Sequence, residues 1–271
     1  MLEQNKYLPG SNRVGLLTST TLLALVLTRI TPSPAFNFEL QLPGFFLTFP
    51  LNINTAMGLL TACLTATGMD WLLRGHPSLK GRTTFQWWFL PTISTFVISI
   101  ILSLLPNGAT WWIGFIVSGA FLYFIFLAEY IAVDADAPYY TTSMIGLTAI
   151  SHTLFFILAV ALRTSDTRLF LIIPGLFLAA LLASLRILHL RLSSNWEYAW
   201  AIGIGLVCIQ LATGFYYWPL APIQFGLLLI GPLYGLVNFA INLGENIPPQ
   251  RAALEPAIVT AICWGMAIFI R

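Results

Sequence analysis

Runs of roughly twenty apolar residues, broken by turns of only a few polar ones, follow one another along most of this sequence. Each is long enough to cross about 30 Å of hydrocarbon as a helix rising about 1.5 Å per residue. Backbone N–H and C=O groups find no water at that depth. They must be satisfied within the segment, as a helix satisfies them. Only 8% of the 271 residues are charged and 58% are hydrophobic, whereas a soluble domain carries about 25% charged residues. A soluble fold must wet its surface, so the solvent for most of this surface is lipid. The net charge of +2 is too small to point to nucleic acid.

The pattern predicts an all-α, polytopic transmembrane helix bundle of about nine helices, forming a single integral membrane domain over 1–271. The spans fall near 14–30, 53–73, 85–105, 111–133, 140–162, 168–190, 196–217, 221–242 and 254–270. Trp71, Trp87, Trp88, Trp111, Trp112, Trp196 and Trp218 fall near predicted ends, where amphipathic rings prefer to sit. The first span resembles a signal peptide, with Ser33-Pro34-Ala35 as a small-residue cleavage site. Pro34 beside that site and the lack of a soluble domain afterwards favour a retained helix.

Between the first and second spans the period changes. Phe36-Asn37-Phe38-Glu39-Leu40-Gln41-Leu42 alternates apolar and polar, the period of a strand. Pro43-Gly44 is turn chemistry, and Phe45–Phe49 supplies a second short run. The expectation is a small hairpin at the membrane surface, with an irregular amphipathic segment as the alternative.

Nine spans and a cytoplasmic N-terminus put Lys6, Arg13, Arg74, Lys80, Arg82, Arg186, Arg191 and Arg251 in the cytoplasm. Arg29, Arg163, Arg168 and Arg271 then lie on the other side. That bias follows the positive-inside rule. Cys63, Cys208 and Cys263 all sit in apolar runs and read as small buried hydrophobes rather than disulfides or metal ligands. No cofactor or metal is expected.

The polar residues that break the apolar pattern are the candidates for function. Glu129-Tyr-Ile-Ala-Val-Asp-Ala-Asp-Ala-Pro-Tyr-Tyr140 holds three of the ten carboxylates. Glu129 still lies in apolar sequence, and an ionisable residue at membrane depth is a functional-site hypothesis by default. Two readings stand: a titrating proton or cation site with Asp134 and Asp136, or an ion pair with Arg186 at matching depth on the sixth span. The pairing is the favoured one. Asp70 and Arg74 stand at i,i+4 and read as a self-contained pair. His152, inside the fifth span between Ser151 and Thr153, is a candidate proton relay, or a neutral ring bonded to a neighbouring carbonyl. The eighth span carries Gly231-Pro232-Leu233-Tyr234-Gly235, which combines close-packing spacing with a proline break. Asn238, Asn242, Glu245 and Asn246 continue it as a polar stripe.

Two resemblances bear on function. The Glu129-Tyr-x-x-Val-Asp134 end of a helix, followed by a Tyr-rich restart, resembles uncharacterised bacterial polytopic membrane proteins of unknown function over Glu129–Arg191. It implies a nine-helix-like topology in a bacterial inner membrane and no activity. Membrane prenyltransferases are similar in having nine helices and acidic clusters on loops, which implies Mg²⁺-diphosphate chemistry. Here Asp134-x-Asp136 and Asn238-x3-Asn242-x2-Glu245 follow the fourth and eighth spans, whereas that family's motifs follow the second and sixth. An enzyme is thus the least supported class. A non-catalytic membrane subunit or lipid-interacting scaffold leads, because the charges gather at span ends. A small-solute or lipid transporter, with a polar site near Glu129 and the broken eighth helix, is the alternative. The expected partners are the bilayer, anionic lipid headgroups and other membrane subunits.

Overall fold

The computed structural model describes residues 11–30, 35–42, 45–79, 84–134, 136–164, 168–192 and 197–270. Among them stand nine α-helices. They are α1 (Ser11–Ile30), α2 (Ile53–Arg74), α3 (Phe89–Leu104), α4 (Ala109–Ile131), α5 (Tyr140–Thr164), α6 (Leu169–Leu192), α7 (Tyr198–Tyr216), α8 (Pro222–Gly244) and α9 (Pro249–Phe269). Eight are long and apolar enough to cross a membrane. The chain is therefore a multi-pass helical membrane protein. Large apolar side chains such as Leu60, Ile116, Ile258 and Phe269 point outward, as a lipid solvent permits.

The expected span at 85–105 is shortened. Phe85–Trp87 forms a 3₁₀ turn, and α3 starts only at Phe89. Its 16 residues cover about 24 Å, less than the hydrocarbon thickness. Pro91 sits in its first turn, where a missing N–H leaves no bond unmade. Trp71, Trp87, Trp88, Trp111, Trp112 and Trp218 do lie at or within a turn of helix ends. Cys208 is buried, but Cys63 is exposed, contrary to expectation. A small apolar thiol costs little on a lipid-facing surface.

The alternating segment forms two antiparallel strands, β1 (Ala35–Leu42) and β2 (Phe45–Asn52). Phe36, Phe38, Leu40 and Leu42 oppose Leu51, Phe49, Leu47 and Phe45. The period-2 pattern fixes that register, since a slip by one would pair apolar with polar residues. Pro50 is tolerated because a two-stranded ribbon has only edges. Several features of the sequence reading fall outside the described residues: the turn Pro43-Gly44, Ser33 and Pro34, Trp196, and the basic residues Lys6, Lys80, Arg82 and Arg271.

Contacts divide the chain into two units, Met1–Tyr140 and Thr141–Arg271. In the first, α2 packs on α1 and α3, and α4 packs on α1 and α3. Gly58 lets α2 approach α3 so closely that a Cβ there would come within 2.5 Å of the Ser99 hydroxyl. In the second, α8 is the axis. Phe225, Leu229, Leu233, Val237 and Ile241 repeat every four residues and are buried together, the stripe of a helix packed on one face. They meet Leu176, Ala180 and Ile187 of α6 and Ile204, Cys208 and Ala212 of α7 in one core.

Candidate functional site

At one end of the first unit, α4 carries a buried stripe of Leu122, Ile125, Phe126 and Glu129. Helical spacing alone puts the carboxylate on the core face, and Glu129 is fully buried. The chain then turns. Asp134 accepts a hydrogen bond from the Asp136 N–H at 3.1 Å and another from the Ser78 hydroxyl at 2.5 Å. Ser78 belongs to the turn that follows α2. There His76 is buried, its ring tilted at 60° against Tyr130 of α4 with centroids 4.5 Å apart. Its Nδ1 accepts the Ser78 N–H at 3.2 Å, so the neutral ring carries its hydrogen on Nε2. Burial pushes the His76 pKa below its ordinary value of 6.5, and the nearby Asp134 carboxylate partly opposes that. Asp136 is exposed and contributes only its backbone.

Arg13 of α1 reaches the same end. Its guanidinium lies 5.7 Å from the Trp71 ring centroid and occupies the space a Cβ on Gly75 would need. Asp70 and Arg74 form the expected pair at 2.8 Å. The pair is extended: the Thr84 hydroxyl donates to Asp70, and the Trp88 indole donates to Thr84 at 3.1 Å. This joins the end of α2 to the entry of α3. Arg74 is 76% exposed, so the ion pair itself contributes only about 0.3–0.5 kcal/mol.

The second unit holds the other candidates. Arg186 is buried within Ala183–Leu188 of α6, a continuously buried stretch. His152 on α5 is buried. Its Nδ1 lies 2.9 Å from the Thr148 carbonyl, and its ring stands 5.5 Å from that of Tyr234 on α8. Its Nε2 has no hydrogen-bond partner among the described residues.

The polar stripe of α8 resolves into structural tasks. Asn238 donates to the Tyr234 carbonyl at 3.0 Å, and Asn242 donates to the Ala252 carbonyl of α9 at 3.1 Å. Glu245 is exposed at the helix end. Asn246 follows at φ 61°, and Ile247 N–H bonds Asn242 C=O while Asn246 N–H bonds Leu243 C=O. That pair of bonds is a Schellman turn, with Asn supplying the left-handed residue.

Pro232 cannot donate to the carbonyl of Leu228 four residues earlier. The Trp264 indole of α9 donates to that carbonyl instead, at 3.1 Å. Thr260 of α9 donates to the neighbouring Gly231 carbonyl at 3.0 Å. The proline break in α8 is thereby closed by side chains of α9. Close approach makes this possible: a Cβ on Gly235 would lie 2.5 Å from the Thr260 hydroxyl, and one on Gly231 would lie 3.0 Å from the Cys263 Cβ. Beside the seam lies an open groove of about 480 Å³ between α7, α8 and α9. Val207, Leu211, Pro232, Ala257, Ala261 and Trp264 are among its walls.

Of the residues expected from sequence, Asp134 and Asp136 are brought together, and His76 and Ser78 join them. His76 carries no sequence signal, because the Ser78–Asp134 hydrogen bond that brings the carboxylate to its turn spans 56 residues. Glu129 belongs to the first unit; Arg186, His152, Asn238, Asn242 and Glu245 belong to the second. Among the described residues no group of three or more His, Cys, Asp or Glu side chains is placed to hold a metal ion.

A family model described as a protein of unknown function, DUF5656, matches residues 32–270, and the chain belongs to that family. No curated protein and no solved structure matches it.

Proposed function

We propose that this member of the DUF5656 family is a non-catalytic membrane subunit that interacts with lipid, holding a hydrocarbon chain in the groove between α7, α8 and α9. The observation that carries this reading is the groove itself: about 480 Å³ with an apolar lining, set among three membrane-spanning helices. Its floor contains Pro232 and Gly235, where a broken helix would offer bare backbone to a polar solute. Trp264 and Thr260 occupy the carbonyls beside that break. What remains is shape and apolar area, which a methylene chain matches at about 0.8 kcal/mol per buried CH₂.

Native mass spectrometry of the protein released from lipid micelles tests this. Ala257→Leu with Ala261→Leu fills the groove from residues that are exposed, so the core is not disturbed. The wild type should retain about one more lipid than the double variant. Equal lipid retention would refute the groove as a lipid site. The transport alternative finds its support in His152, which places a polar ring near the middle of α5 against Tyr234. A solute or proton flux into proteoliposomes that is lost in His152→Gln, with unchanged lipid retention, would favour that reading.

A further inference from the structure

The turn after α2 and the loop after α4 are joined by a short chain of hydrogen bonds that depends on the protonation of one ring. We propose that His76 is a proton-operated latch on the Ser78 backbone, which in its neutral form holds the Ser78 N–H and on protonation lets it go and takes Asp134 from the Ser78 hydroxyl.

The neutral ring presents the Nδ1 lone pair to the Ser78 N–H at 3.2 Å. With its backbone fixed there, Ser78 turns its hydroxyl onto Asp134 at 2.5 Å. Asp134 in turn holds the Asp136 N–H with its other oxygen at 3.1 Å. One serine is thus gripped twice, by an imidazole from behind and a carboxylate in front.

Protonation places a hydrogen on Nδ1, directly facing the Ser78 N–H. Two donors then oppose each other, and the bond cannot persist. The groups around the ring decide where the new cation turns. Tyr130 of α4 covers one face of the ring, with Glu129 preceding it on the same helix end. Arg13 of α1 stands against Gly75, one residue before His76, and repels a second cation there. Asp134 is the anion that acts on the ring. The protonated Nδ1–H therefore competes with Ser78 for Asp134, and the 76–79 turn must move for it to arrive. The Ser78–Asp134 bond between the two segments is thereby exchanged for a His76–Asp134 ion pair, and the Ser78 N–H is left without its acceptor. Burial at 3% exposure keeps the ring neutral near pH 7, so the latch is closed at neutral pH and opens on acidification below 6.5.

Amide hydrogen exchange across Gly75–Leu79, corrected for the intrinsic pH dependence of exchange, reads the latch in the full-length protein in micelles. Protection of the Ser78 amide should fall about tenfold as the pH drops from 7.5 through the folded pKa below 6.5, the ratio set by one hydrogen bond of ordinary strength. His76→Asn puts a non-titrating acceptor close to the Nδ1 position, and its protection should be flat over the same range. Ser78→Ala keeps the backbone bond but loses the grip on Asp134, so its protection should be lower yet still step with pH. The ¹⁵N shift of His76 Nδ1 in the unsubstituted protein gives a readout that needs no variant. It should report an unprotonated acceptor at pH 7.5 and a protonated nitrogen once the pH has fallen through the folded pKa below 6.5, moving in step with the exchange. A pH step that survives in His76→Asn would overturn the proposal. So would an Nδ1 that is already protonated at pH 7.5.

Discussion

Replacing Trp264 by Phe probes the seam between α8 and α9 most sharply. The indole Nε1–H is the donor to the Leu228 carbonyl, whose own helical partner Pro232 removes. Phe keeps an aromatic ring but no donor. Trp264 is 38% exposed, so little buried area is lost and the hydrogen bond dominates the effect. An unsatisfied buried acceptor costs about 1–3 kcal/mol, while polar contacts between membrane helices measure about 0.6 kcal/mol on average and 1.7 at most. The expected loss is therefore about 1–1.5 kcal/mol. Pro232→Ala supplies the decisive control, because it returns a backbone N–H to Leu228. In that background Trp264→Phe should cost about 0.5 kcal/mol or less, leaving a coupling of about 1 kcal/mol. Reversible unfolding in mixed micelles, measured for the four proteins of the cycle, provides the numbers. Strict additivity would mean that the indole does not stand in for the missing helix bond, and the account of the seam would fail.

Other consequences are smaller but as definite. Gly235→Ala forces a methyl group against Thr260 and the Pro256 carbonyl and should lower stability by about 1–3 kcal/mol, seen as a reduced Tm in detergent. Gly203→Ala on α7 meets nothing within 4 Å and should be neutral or gain up to about 1 kcal/mol. Because the folded-state pKa of His76 is depressed below 6.5, its contribution to stability is fully present above 6.5 and is lost as pH falls through the folded value. Unfolding transitions followed from pH 7.5 to 5 should show this decline in the wild type and not in His76→Asn.

The fold was largely legible because its main instruction is one-dimensional. Nine apolar stretches announce helices, and a change from helical period to strict alternation announces the hairpin. The start of α3 was misread because Phe85, Trp87 and Trp88 are as apolar as a helix core, and hydropathy does not separate a 3₁₀ turn from a helix. The polar groups were harder, since what they do depends on neighbours far along the chain. Pro232 was visible as a break, but its remedy, Trp264, stands 36 residues from the carbonyl it serves. Asn238, Asn242 and Glu245 looked like one stripe, yet they bond to their own helix, tie α8 to α9 and end the helix, respectively. Glu129 stood out in the sequence as a carboxylate within an apolar run, while its place on the buried face of α4 comes from the structure. His76 offered no sequence signal, because a lone histidine in a short turn acquires meaning only from Asp134 and Tyr130 beside it.

The central claim is that a hydrocarbon chain lies in the groove walled by Trp264. Lipids brominated along the acyl chain quench tryptophan at contact, so they report occupancy at the groove directly. The Trp264 signal is obtained as the difference between the wild type and Trp264→Phe in the same bilayers. The account predicts that this component is strongly quenched in brominated bilayers. It also predicts that Ala257→Leu with Ala261→Leu, which fills the groove, largely relieves the quenching. A Trp264 component that is unquenched in the wild type, or quenched equally when the groove is filled, would contradict it.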